Sequence, residues 1–210
     1  MDLYFDLDGT LTDPFEGITG SILYALDKLG LPTPPADTLG WAIGPALVDS
    51  FARLGVPEPH QALALYRERY TDTGLFENAL YPDVLPVLAG LETAGHRMFL
   101  MTAKPHAYAK RITAHFGIAP FLLQEFGPEL DGTRNNKAEL LAWALMQTKS
   151  DPATSLMIGD RHHDFTAAHA NGMPAIAARW GYGNADEHAQ ADHACDDMIE
   201  LKDLIDGLAG

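Results

Sequence analysis

The chain has 210 residues, 47% hydrophobic and 20% charged, with 29 acidic against 14 basic residues and a formal charge of −15. That length suits one moderate domain, or a core carrying a smaller insertion, and it buries a sizeable core without disulfides. The acidic balance leaves no basic footprint for nucleic acid, and the one cysteine, Cys195, has no internal partner for a disulfide or a CxxC metal site.

The Met-Asp-Leu start lacks the basic and apolar regions of a signal peptide, and no run of about 18 apolar residues suggests a membrane span. The expectation is a soluble cytoplasmic protein with no membrane partner. Leu3–Phe5 is a short apolar run of strand length, followed at once by FDLDGTLTD, Phe5 to Asp13. Residues i and i+2 of a strand point the same way, so Asp6 and Asp8 leave its end close together. Two anions so placed repel unless a proton, a metal ion or a full turn into solvent offsets the repulsion.

From Phe15 to Leu80 the pattern is helical, with no convincing strand. GITGSILYALDKLGL reads as one helix ended by Gly30, and PPADTLGWAIGPALVDSFARLGV as two short ones, with Ile43-Gly44-Pro45-Ala46 either a tight turn between them or a specificity loop that faces the core site when the lid closes. HQALALYRERYTDTGL reads as a longer amphipathic helix carrying Tyr66 and Tyr70, with Arg67 and Arg69 facing outward. Tyr81-Pro82-Asp83 marks the return to a strand-and-helix alternation. Strand-length runs follow at Arg97–Thr102, Phe121–Gln124, Ser155–Gly159 and Pro174–Ala178, with helical stretches between them. DFTAAHANG closes on Gly172, and the polar stretch Ala185 to Ala194 reads as a surface loop. Trp41, Trp143 and Trp180 read as packing residues. Alternation of this kind argues for a parallel sheet covered on both faces.

In such a sheet, ligands bind beyond the carboxyl ends of the strands. Asp6 and Asp8 follow the first strand, Thr102, Ala103 and Lys104 the next, and Gly159-Asp160 a later one, with Asp164 close behind. Lys137 begins the helix NKAELL. The carboxylates make a hard, oxygen-rich cluster suited to Mg²⁺. Thr102 offers a hydroxyl and Lys137 a compact positive charge, which with Mg²⁺ suit a phosphoryl group. One carboxylate can attack phosphorus while another shuttles a proton. Each residue also has a plainer reading. Asp164 can cap the helix that follows it, Lys104 reads equally well as a surface lysine, and His162-His163 as a polar loop or a substrate contact, since nothing supplies the other ligands of a transition-metal site.

FDLDGTLTD, Thr102 at a strand end, Lys137 and GDRHHD resemble the four motifs of the haloacid dehalogenase (HAD) superfamily, in order and over nearly the whole chain. The helical insertion is similar to the C1 cap of its phosphoglycolate-phosphatase-like branch. The resemblance implies an α/β fold: a doubly wound parallel sheet, the Rossmann-like HAD core, from residues 1–14 and 81–210, with an inserted all-helical cap from 15–80. It implies Asp6 as a nucleophile forming an aspartyl-phosphate and Asp8 as general acid/base, with Thr102, Ala103 and Lys137 at the phosphoryl group. Mg²⁺ would be held by the Asp6 carboxylate, the Asp8 main-chain carbonyl and Asp160, with Asp164 in or next to its shell. Ala103 stands where many relatives have Asn, so that hydrogen bond is missing or comes from elsewhere. Asn135-Asn136-Lys137 replaces a frequent Pro-Lys pattern and keeps the lysine. The implied activity is Mg²⁺-dependent hydrolysis of a small phosphomonoester (phosphoglycolate, a nucleotide or a sugar phosphate) by a monomer or homodimer. A phosphomutase and a catalytically silent binding module are the alternatives. Haloacid dehalogenation fits poorly, since it needs neither Asp8 nor the Mg²⁺ cluster.

Overall fold

A computed structural model of the chain describes residues 1–209. The chain forms two compact units, Met1–Asp13 with the chain from Leu80 onward, and Pro14–Ala79. The first unit is built on six parallel strands: β1 (Asp2–Phe5), β4 (Arg97–Met101), β5 (Gln124–Phe126), β6 (Ser155–Gly159), β7 (Ala175–Ala178) and β8 (His193–Cys195). Two very short strands, β2 (Thr12–Asp13) and β3 (Ala79–Leu80), pair where the chain leaves for the second unit and returns.

The order across the sheet is β5-β4-β1-β6-β7-β8, so the chain builds outward from β1 on one side and then on the other. This is the Rossmann-like doubly wound order, and its reversal point lies between β1 and β6. Phe5 stands level with Leu100 of β4 and Ile158 of β6, which sets the row in which the three strands end.

Burial explains why the central strands form. Every residue of β6 and β7 is buried, as expected of strands covered on both faces. On one face Tyr4, Phe99, Met101, Phe126 and Met157 pack with Leu140, Leu141 and Phe165. These last belong to α6 (Lys137–Thr148) and α7 (His162–Ala170). The alternate residues Leu3, Phe5, Leu100 and Ile158 are equally buried on the other face. The unit is completed by α4 (Val84–Thr93), α5 (His106–His115), the short α8 (Ala185–His188) and α9 (Met198–Ala209).

The second unit holds α1 (Phe15–Lys28), a 3₁₀ turn at Ala36–Ala42, α2 (Leu47–Arg53), and α3 (Pro59–Arg69) running into a π turn at Tyr70–Gly74. The long helix expected there therefore changes its winding at Tyr70. Arg69 does not face outward as expected, because both its terminal nitrogens bond Glu77, at 2.7 and 2.8 Å, and one also reaches Ser21.

Both edges of the sheet depart from the sequence expectation. The strand expected at Phe121–Gln124 lies at Gln124–Phe126, and Phe121 closes a 3₁₀ turn at Ala119–Phe121. The surface loop expected from Ala185 to Ala194 is α8 followed by the start of β8. Edge strands are covered less completely, and so lack the unbroken apolar run that identifies a central one.

Candidate active site

The site grows out of the reversal point. The Asp6 N–H donates to the Ile158 carbonyl at 2.9 Å, continuing the β1–β6 pairing by one residue, and Asp160 follows directly after β6. The chain then folds back sharply: the Leu11 and Thr12 N–H groups both donate to the Leu7 carbonyl, at 2.9 and 3.0 Å. Gly9 makes this turn possible with a φ of +84°, and a Cβ there would run into the Asp160 carboxylate.

Asp6 is held from two sides. Its Oδ1 accepts the Leu7 N–H at 2.8 Å, and its Oδ2 lies 3.1 Å from Lys137 Nζ. Lys137 opens α6, whose first turn is capped by Asn136 Oδ1 accepting the Ala138 and Glu139 N–H groups at 2.9 and 3.2 Å. The same ammonium pairs with Asp164. Burial alone would lower the Lys137 pKa, but the Asp164 and Asp6 carboxylates outweigh it and hold it above the usual lysine range.

Asp8 sits beside this group with its carboxylate paired to Lys104, a side chain that is 5% exposed. Its other oxygen, Oδ1, is buried without a hydrogen-bond partner among the described residues. Burial pushes Asp8 upward against the opposing pull of the Lys104 cation. Thr102, buried at the end of β4, takes the Lys104 N–H on its hydroxyl oxygen at 3.2 Å. Ala103 lies exposed between them.

Asp160 and Asp164 complete the cluster. Asp160 is fully buried, its Oδ2 accepts the Tyr182 N–H at 2.7 Å, and its Oδ1 has no partner among the described residues. Burial first, then the Asp164 and Asp6 charges, drive the Asp160 carboxyl well above its ordinary range. Asp164 is also pushed up by burial, with Lys137 pulling the other way. One oxygen from each of Asp6, Asp160 and Asp164 lies within 4.8 Å of the others. An all-oxygen donor set, an orphaned buried oxygen and two carboxyls penalised by burial fit a hard divalent cation, which would relieve the last two.

The structure thus brings Asp6, Lys137, Asp160 and Asp164 into direct contact or close proximity, with Asp8 and Thr102 linked through Lys104. Asp164 does not precede a helix but lies in the first turn of α7, where it accepts the Arg161 N–H at 3.1 Å, and it also pairs with Lys137. His162 and His163 open α7 rather than sitting in a loop, and His162 Nδ1 lies 2.5 Å from Glu187 Oε1. They join no cluster of potential metal ligands among the described residues. Lys104 is no surface lysine. The sequence reading missed the segment after β7, where Trp180 is more than a packing residue: its indole N–H donates to the Thr10 carbonyl at 3.0 Å. The signal was WGYG, a glycine pair just past a central strand, where backbone must approach closely.

Residues 3–178 match the family described as haloacid dehalogenase-like hydrolase. The chain is 39% identical over 210 residues to a 5'-nucleotidase of Pseudomonas aeruginosa, covering 98% of this chain and 95% of that protein. It is also 39% identical over 183 residues to the tyrosine-protein kinase PtkA of Mycobacterium tuberculosis, there covering 87% of this chain but only 63% of that protein. Among solved structures, a predicted phosphatase from Clostridium acetobutylicum superposes with a TM-score of 0.92 at 31% identity, over 98% of both chains. The chain belongs to the haloacid dehalogenase-like hydrolases and is an enzyme of their phosphatase type.

Proposed function

We propose that the protein is a Mg²⁺-dependent phosphomonoesterase that works through an aspartyl-phosphate on Asp6. The observation that carries this reading is the position of Asp6, with Lys137 on one oxygen and the oxygens of Asp160 and Asp164 close by. Asp6, the Asp8 main-chain carbonyl and Asp160 would hold the cation, with Asp164 in or next to its shell. Mg²⁺ bound there supplies positive charge against the phosphoryl oxygens.

The remaining chemistry falls to the chain itself. An Asp6 oxygen attacks phosphorus, the bond from phosphorus to the ester oxygen breaks, and the departing oxygen takes a proton from Asp8. Asp8, now a carboxylate, removes a proton from water as the water attacks phosphorus. The bond to Asp6 then breaks, releasing inorganic phosphate and regenerating the Asp6 carboxylate. Lys137 and Thr102 hold phosphoryl oxygens through both steps, with Ala103 beside them. The helical unit is the cap that selects the substrate. A nucleoside 5'-monophosphate leads the candidates because of the 5'-nucleotidase relative, ahead of phosphoglycolate and sugar phosphates.

Phosphate release from 5'-nucleotides, phosphoglycolate, sugar phosphates and p-nitrophenyl phosphate tests this, with Mg²⁺ and with EDTA. Release is expected only with Mg²⁺ and is expected to be lost in Asp6→Asn. Failure on every compound by folded protein would sink the hydrolase reading and favour the silent binding module. Transfer of the phosphoryl group to a second hydroxyl would instead favour the mutase.

A further inference from the structure

The Asp160 carboxylate accepts a hydrogen bond from a short segment that none of the four motifs contains. The Tyr182 N–H holds Asp160 Oδ2 at 2.7 Å, which leaves Oδ1 as the buried oxygen with no partner among the described residues. Gly181 lies so close that a Cβ would run into the Gly9 carbonyl and the Asp160 side chain, and a Cβ on Gly183 would meet the Asp160 carbonyl. That carbonyl oxygen also lies 3.1 Å from His188 Nε2. The segment is itself tied down at both ends. Trp180 donates its indole N–H to Thr10 in the turn after Asp8, and the Tyr182 hydroxyl donates to Asp13 where β2 ends.

We propose that Trp180–Gly183 is the positioning brace of the metal centre, with Tyr182 fixing the Asp160 carboxylate so that one oxygen is spent on the brace and the other faces the cation. The proposal rests on the metal-dependent reading above. The physical reason is rotational: a carboxylate on two free torsions offers either oxygen in many directions, and an N–H on one oxygen selects a single orientation for the other. Partners that orient a metal ligand in this way are typically worth about 10- to 100-fold in metal affinity. Tyr182 acts through Asp160 and is no catalytic residue. Its hydroxyl joins the brace to Asp13, and its backbone N–H does the holding.

The test is direct Mg²⁺ binding by titration calorimetry, without substrate, on wild type, Gly181→Ala and Tyr182→Phe, each checked for fold by circular dichroism and for melting temperature in EDTA. Gly181→Ala, whose Cβ displaces Asp160, is expected to weaken binding by about 10-fold or more. Tyr182→Phe keeps the N–H and loses only the hydroxyl's ties to Asp13 and Tyr81, so a smaller loss, about 3-fold, is expected, below the range of a partner that holds the ligand directly. A merely structural segment would lower the melting temperature in EDTA and leave the dissociation constant alone. Wild-type binding with both variants unchanged would overturn the brace while leaving the metal reading intact. Should Gly181→Ala not fold, an unchanged dissociation constant in Tyr182→Phe alone overturns the role given to that hydroxyl. No Mg²⁺ binding by the wild type would overturn both readings together.

Discussion

Lys104 shows how much a single buried charge decides. Its ammonium is paired with Asp8 and nearly sealed from solvent, so removing it leaves the Asp8 carboxyl protonated but free to turn away from the leaving oxygen. With Asp8 as the proton donor to the leaving oxygen, Lys104→Met is expected to hurt most where that proton matters most. For an alkyl phosphate, kcat/KM should fall about 100-fold, the lower end of what general acid catalysis contributes. For p-nitrophenyl phosphate, whose leaving group departs well unprotonated, the fall should be several-fold smaller. Equal losses on the two substrates would place Lys104 in general packing or phosphate binding. From the sequence this lysine was indistinguishable from a surface residue, because its partner lies 96 positions away. Asp6 and Asp8 were legible for the opposite reason: their spacing and the strand before them are local. The brace residue Tyr182 resembles Lys104, since its bond to Asp160 is made by backbone and leaves no mark in side-chain chemistry.

At the level of elements, each functional side chain stands at the first residues past a strand or the first turn of a helix, so the site depends on how those ends are fixed. α6 is the clearest case. Asn136 caps it with two accepted N–H bonds, and Lys137 is its first residue, so the cap fixes both the helix and the ammonium. Cations are disfavoured at a helix N-terminus, which makes the pairing of Lys137 with Asp6 and Asp164 the compensation for its position. Asn136→Ala is expected to cost about 1 kcal/mol in denaturant unfolding. It should also lower kcat more than an equally destabilising change at an exposed cap elsewhere, such as Asp151→Ala, whose side chain accepts the Ala153 N–H at the 3₁₀ turn before β6. An equal kcat for the two variants would show that α6 holds Lys137 without its cap. The elements that sequence reading located well, β1, β4, β6 and β7, are buried at every residue or at all but the first. Those it displaced or missed, β5, α8 and β8, lie towards the edges, where half-exposed residues such as Glu125 and His193 break the apolar run.

On the scale of the whole molecule, the doubly wound order places the acidic cluster at the one gap where neighbouring strands lead away in opposite directions. A chain with 29 acidic and 14 basic residues thereby concentrates some of its negative charge in buried positions, and burial drives the Asp160 carboxyl well above its ordinary range. On the proposed metal-dependent reading, that penalty is stability given up for function. Asp160→Asn keeps an acceptor for the Tyr182 N–H but removes the charge, so in EDTA it is expected to melt higher than the wild type. A gain of ~1 kcal/mol would raise the melting temperature of a chain this size by about 2–4 °C. Adding Mg²⁺ should reverse the order. The wild type gains about 2.7 kcal/mol at a hundredfold excess over its dissociation constant, whereas Asp160→Asn, short of a ligand charge, gains little. Matched ionic strength from NaCl must not reproduce the shift, because screening acts weakly on buried charges. A wild type that melts higher than Asp160→Asn in EDTA would mean that the buried carboxylate is compensated within the protein itself, and that no cation is needed to complete the fold's electrostatics.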